Sequence, residues 1–109
     1  MILASVRMTI PPQKRDEALK IIRLVAEQCR DYPGCLCSYI YGDLQEKNVL
    51  LLEELWKAEE DLNHHIRSEE YRNLLLVLEM GAKKPEIRFD IISSSTGMET
   101  IEKARSHAR

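Results

Sequence analysis

The stretch NVLLLEELWKAEEDLNHHIRSEEY, Asn48–Tyr71, decides the architecture because two periods meet inside it. Up to Trp56, apolar residues occupy both parities: Val49, Leu51 and Leu55 on one, Leu50, Leu52 and Trp56 on the other. A strand buried on both faces reads this way. Beyond Trp56 the pattern turns helical, first over Ala58–Arg67 and then over Ser68–Gly81. Ser68 followed by Glu69 and Glu70 is an N-cap with acids in the first turn, where the helix dipole favours them. The second helix carries the stripe Tyr71, Leu74, Leu75 and Leu78, with a further pair, Leu76 and Met80, one turn apart. An arc that broad predicts contacts on more than one side.

Upstream, Cys35–Gly42 is a second strand, joined to Asn48–Trp56 by the polar connection Asp43–Lys47, which has hairpin length. Tyr32-Pro33-Gly34 ends a helix over Gln13–Asp31, whose stripe is Ala18, Ile21, Ile22, Val25, Ala26 and Cys29. Before it, Ile2, Ala4, Val6, Met8 and Ile10 alternate with Leu3, Ser5, Arg7 and Thr9, a strand closed by Pro11-Pro12. Downstream, Pro85–Ser93 is the fourth strand, with Ile87, Phe89 and Ile91 alternating with Arg88 and Asp90. Thr96-Gly97-Met98-Glu99 has capping-box spacing, which predicts a short helix through about Arg105.

The order β-α-β-β-α-α-β predicts an α+β, ferredoxin-like domain over residues 1–93, with a helical tail over 94–109. A four-stranded antiparallel sheet with helices on one face satisfies the layer rule. Its uncovered face is apolar, and a second copy of the chain is the expected cover, giving a homodimer.

A chain of 109 residues fits one domain, and 44% hydrophobic with 31% charged residues is ordinary for a globular protein. The net charge is −2 with acids and bases intermixed, so no basic stripe marks a nucleic-acid partner. No apolar run approaches the ~20 residues that cross a bilayer, and Ser5, Arg7 and Thr9 interrupt the first ten residues, which therefore do not read as a leader. Of three cysteines, Cys35 and Cys37 stand two apart on a strand with side chains pointing the same way. That geometry is poor for a disulfide, so a reducing, cytoplasmic setting is expected.

Common catalytic motifs are absent: no Gly-rich phosphate loop, no Gly-x-Ser-x-Gly elbow, no Cys-x-x-Cys pair. His64 and His65 point about 100° apart on a helix and cannot share a metal. Glu54 shares a face with Leu52 and Trp56, which makes it either a buried carboxylate or a hydrogen-bonded structural acid.

The same stretch carries a resemblance. A strand ending Glu54-Leu55-Trp56, an acidic helix start, His65 nine residues after the Trp, then Ser68 and Tyr71 six after the His resembles the signature of the antibiotic biosynthesis monooxygenase family. Pro33-Gly34-Cys35 is similar to the opening of that family's second strand. Ala58 departs from the pattern, since members usually place a capping Ser there.

The resemblance, which spans about residues 1–93, implies a dimeric α/β barrel, quinol monooxygenase-like, with a pocket between each sheet and its own helices. It also implies oxidation of a small aromatic or quinol-type compound by O2 without cofactor or metal. A deprotonated, electron-rich phenol passes an electron to O2 itself, leaving the protein to supply a dry pocket, a base and anion-stabilising donors. His65, inward-facing with Leu62 and Ile66, is the candidate base, or else a core histidine tying helix to sheet. Trp56, Tyr71, Ser5, Arg7 and Arg88 are candidate substrate-binding residues, with core packing or surface pairing as the alternative for each. Haem-degrading relatives carry a histidine ligand further along the second helix, where this chain has Asn73-Leu74-Leu75-Leu76. An isomerase using His65, and a non-catalytic dimeric small-molecule-binding module, are the other two readings.

Overall fold

The computed structural model describes residues 1–107. Strand β1 (Ile2–Thr9) leads through a 3-10 turn (Pro12–Lys14) into helix α1 (Arg15–Cys29). Strands β2 (Cys35–Gly42) and β3 (Val49–Trp56) follow, then helices α2 (Glu59–Ile66) and α3 (Glu69–Glu79), strand β4 (Glu86–Ile91) and helix α4 (Met98–His107). The sheet order is β2-β3-β1-β4, with antiparallel neighbours throughout. This is the α+β, ferredoxin-like arrangement that the change of period at Trp56 predicts.

The core lies between the inner sheet face and two helices. Val6 and Met8 of β1 and Leu50 and Leu52 of β3 pack with Ala18, Ile22, Val25 and Ala26 of α1 and Tyr71, Leu74, Val77 and Leu78 of α3. The buried stripe of α3 is narrower than its composition suggests: Leu75 and Leu76 are exposed, and Val77 takes the inward place. Ser68 caps α3 as expected, accepting from the Tyr71 backbone N–H at 3.2 Å.

Strand β4 continues the inner face, with Ile87 opposite Val6, Phe89 opposite Ala4 and Ile91 opposite Ile2. Yet Ile87, Phe89 and Ile91 are 43%, 47% and 86% exposed, against 4% for Val6 and 5% for Ala4. Helices α1 and α3 stop short of this edge. On the outer face Leu3, Leu51 and Leu55 are half-buried and Tyr39 and Tyr41 exposed, the uncovered apolar surface that doubly apolar β3 foretells.

Strand β2 departs from the expected regularity. Its register shifts between Cys35 and Cys37: Cys35 pairs with Trp56, Cys37 with Leu55 and Ser38 with Glu54, which leaves Leu36 over as a β-bulge. Cys35 and Cys37 therefore face opposite sides of the sheet, not the same side. Just before β2, Gly34 is held between the neighbouring elements. Its N–H donates to Asp61 Oδ2 at 2.8 Å, and its carbonyl accepts from the Lys57 N–H at 2.7 Å. A Cβ on Gly34 would fall 2.8 Å from the Ala58 Cβ and nearer still to Asp61, so only glycine fits. This clamp fixes the start of α2, whose N-cap residue Ala58 makes no side-chain capping bond.

Helix α4 begins one residue later than the capping-box spacing suggests. Glu99 Oε1 accepts from the Gly97 N–H at 2.9 Å, and the residues of α4 through Ser106 are exposed. Among the described residues no helix is long and apolar enough to cross a membrane.

Candidate functional site

A buried polar chain runs beneath α2. Glu54, on the inner face of β3, is 2% exposed, and His65, on the inner side of α2, is fully buried. The α2 stripe Leu62, His65 and Ile66 turns the ring down onto the sheet. His65 Nε2 lies 2.9 Å from Glu54 Oε2, and Nδ1 lies 3.0 Å from Gln28 Oε1. Gln28 stands in the last turn of α1, and its amide nitrogen donates to Glu70 Oε2 at 2.9 Å.

These contacts assign a proton. A carboxylate only accepts, so Glu70 fixes the amide nitrogen of Gln28 toward itself and turns Oε1 toward His65. A carbonyl oxygen also only accepts, so His65 Nδ1 carries hydrogen. The Nε2–Glu54 contact then needs one further proton between its two atoms, on the ring or on the carboxyl. Either way the pair is neutral overall, the state a buried site tolerates best.

Aromatic rings seal this pair. The Trp56, Tyr71 and Tyr32 rings lie 5.2, 5.4 and 5.8 Å from the imidazole, centroid to centroid, the two tyrosines edge-on. The Trp56 indole N–H points at Glu54 Oε1 over a long 3.4 Å. Burial, and then the Glu54 charge, push the Tyr71 phenol up to about 12, so it stays neutral at physiological pH.

Open space lies next door. A groove of about 470 Å³ runs between α2 and the β4 edge. Leu62 and Ile66 form its floor, Ile2, Phe89 and Ile91 its far wall, and Lys57, Glu59 and Asn63 bring polar groups to it. Leu62 also belongs to the buried cluster with Trp56, and Ile66 packs against that cluster. One layer of side chains thus separates the groove from Trp56 and His65.

Of the residues singled out from sequence, His65, Trp56 and Tyr71 come together. Ser5, Arg7 and Arg88 do not. Ser5 pairs with Glu53 and Arg88, and Arg7 with Leu51, all on the outer sheet face. Arg7 is tied to Asp43 at 3.1 Å, and Arg88 to Asp90 at 3.2 Å. Gln28 and Tyr32 were not anticipated. Gln28 carries no periodic signal, and Tyr32 reads as punctuation before Pro33-Gly34.

The cysteines also differ from expectation. Cys29 and Cys35 form a disulfide across the Tyr32-Pro33-Gly34 turn, with Cα atoms 5.8 Å apart, and Cys37 is free. The Cys35–Cys37 spacing does not bear on this pair, so it gives no ground for a reducing compartment. Among the described residues no three His, Cys, Asp or Glu side chains converge as a metal site would require.

Comparison with known proteins places the chain. The profile of the antibiotic biosynthesis monooxygenase family matches residues 1–75, and the protein belongs to that family. An uncharacterized protein of Synechocystis sp. is 27% identical over 67 residues, 62% of this chain and 46% of the relative. This chain therefore matches less than half of that relative's length.

Among solved structures, an antibiotic biosynthesis monooxygenase superposes with a TM-score of 0.75 at 20% identity, over 86% of this chain and all of the other. A conserved protein from Methanosarcina mazei Go1 superposes with a TM-score of 0.73 at 27% identity, over 82% and 89% of the two chains. Rv0793 from Mycobacterium tuberculosis gives 0.77 at 18% identity, over 88% and 98%.

Proposed function

We propose that the protein is a cofactor-independent monooxygenase that binds a small aromatic or quinol-type compound in the α2–β4 groove and oxidises it with O2. The observation that carries this reading is the groove itself: apolar walls enclosing about 470 Å³, set over the helix that bears His65. That volume suits a compound of a few fused rings. In the reaction a ring carbon loses two hydrogens and gains one oxygen atom, and the other oxygen leaves as water. The substrate supplies all four electrons. Once the Leu62–Ile66 floor changes rotamer, the neutral Glu54–His65 pair takes up the phenolic proton and becomes imidazolium plus carboxylic acid, a positive charge balanced by the substrate anion that Asn63 and Lys57 hold.

The reading includes a homodimer. Two outer sheet faces pack together and bury Leu3, Leu51, Leu55, Tyr39 and Tyr41.

One observation favours a second reading, a non-catalytic dimeric small-molecule-binding module. His65 is fully buried with both ring nitrogens engaged, and it does not line the α2–β4 groove. Oxygen uptake across a panel of quinols and anthrone-like phenols separates the two, with no cofactor added and His65→Gln beside the wild type. Uptake that falls at least tenfold in the variant supports the oxygenase. Ligand-induced thermal stabilisation without uptake supports the module.

A further inference from the structure

The sulfurs of the Cys29–Cys35 bridge take no step in the oxidation just described. Cys29 is fully buried against Trp56, Ala4 and Leu62, whereas Cys35 is half-buried and opens onto a second groove of about 460 Å³ at the β2 edge. The other lining residues are Arg30, Leu36, Cys37, Ser38 and Tyr39, which contribute one cation and no acid. The Arg30 guanidinium is fixed there by an N–H that donates to the Ser38 carbonyl at 2.9 Å. The Ser38 hydroxyl is 1% exposed as part of its residue and has no hydrogen-bond partner among the described residues.

The bridge also brackets the residue that seals the buried pair. It closes a six-residue separation around Tyr32, whose ring covers Trp56 and His65 at 5.8 Å each. Through Cys29 it anchors the last turn of α1, which holds Gln28 against His65.

We propose that the Cys29–Cys35 bridge is a thiol-exchange site for a small anionic thiol, and that opening it uncovers the Trp56–His65 cluster. A thiolate seated beside Arg30 attacks Cys35 Sγ, the more accessible sulfur. A bond forms between the incoming sulfur and Cys35, the bond to Cys29 breaks, and Cys29 leaves as a thiolate that takes a proton from water. A second thiol then attacks the mixed disulfide, releasing the oxidised small-molecule disulfide and a Cys35 thiol. Two small thiols are oxidised and the bridge is reduced by two electrons. With the bridge cut, no covalent link closes the Tyr32 turn, which keeps only its backbone bonds, the Gly34–Asp61 contact and the packing of the Tyr32 ring.

The proposal rests on the reading that the buried pair is a working part, yet its test needs no turnover. Trp56 is the single tryptophan of the chain, so its fluorescence reports on this cluster alone. Cys37→Ser protein is equilibrated in glutathione redox buffers and followed by mass spectrometry, far-UV circular dichroism and acrylamide quenching. The expected result is a glutathione adduct on Cys35, then the free dithiol, with quenching raised at least threefold while the circular dichroism stays native. Arg30→Gln slows adduct formation about tenfold, and bridged Tyr32→Ala reproduces the raised quenching.

A reduced protein that keeps the oxidised quenching overturns the gate. Adduct formation indifferent to Arg30 overturns the site, as does free Cys29 thiol in protein folded under oxidising buffer. Oxygen uptake unchanged by redox state, in a protein whose quenching responds, leaves the gate standing and counts against the oxygenase reading instead.

Discussion

Strands β1 and β4 stand side by side and are written in the same alternation, yet their inner faces meet different fates. Val6 and Met8 lie under α1 and α3 and Ala4 under Cys29 and Leu62, while Ile87, Phe89 and Ile91 of the neighbouring strand lie under nothing of comparable size. Period two decides which face is apolar; the reach of the helices decides which part of it is sealed. Helix α1 sits toward β2 and β3, so the β4 edge of the sheet is left uncovered. The sealed part holds the polar chain and the open part holds the groove. Stability belongs to the first, and the proposed function puts ligand contact in the second.

That division is open to attack by mutation. The largest effect is expected at the heart of the sealed part, where His65→Leu strands the Glu54 carboxylate in the core and costs about 3–5 kcal/mol in urea unfolding. The double variant Glu54→Leu/His65→Leu loses less than His65→Leu alone, because no unpaired charge remains; an equal or larger loss would mean that the pair stabilises by attraction rather than by mutual neutralisation. Next comes Leu52→Ala, which opens a cavity between β3 and the helices and costs about 2–5 kcal/mol.

Across the divide, Phe89→Ala costs less than about 1 kcal/mol, since the side chain is already half in water. It nonetheless weakens thermal stabilisation by any groove ligand, and a Phe89→Ala protein as unstable as Leu52→Ala would erase the distinction.

The smallest effect is a pH one. The fold holds the Tyr71 phenol proton up to about 12, while the unfolded chain releases its phenol near the ordinary value of 10.0. This contribution to stability is complete below the unfolded value and declines as pH rises through the window between the two. Tm measured against pH therefore falls less steeply there for Tyr71→Phe than for the wild type.

The fold was largely legible because its signals are local. Ile2–Ile10 alternates, Ala18–Cys29 runs at 3.6, and Ser68 and Gly34 punctuate; each needs only its own neighbours to be read. His65 was found because the α2 stripe includes it, and Trp56 because it ends the doubly apolar strand.

What escaped depends on distance. Cys29 closes a helix and Cys35 opens a strand, and no periodicity says that the turn between them brings their sulfurs together. Gln28 sits beside the apolar stripe, so only the folded position of α2 reveals its role. Ser5, Arg7 and Arg88 share one parity, which the alternation fixed; which parity faces His65 became clear only once the helices had a side. The floor of the groove draws on α2 and its wall on both ends of the chain, so no stretch of sequence spells it.

The bulge at Leu36 has a consequence for the edge it interrupts. Deleting Leu36 would leave Cys35 inward, Cys37 outward and Ser38 inward, as they already are, so the sheet carries this residue without using it for any inside–outside assignment. Its effect is on the outline of β2, an edge strand with unpaired backbone groups. A bulge bends and twists such an edge, so that another extended chain cannot lie flush along it. The spare residue thus guards against aggregation, and a shortened chain without it would keep its shape while growing stickier with concentration.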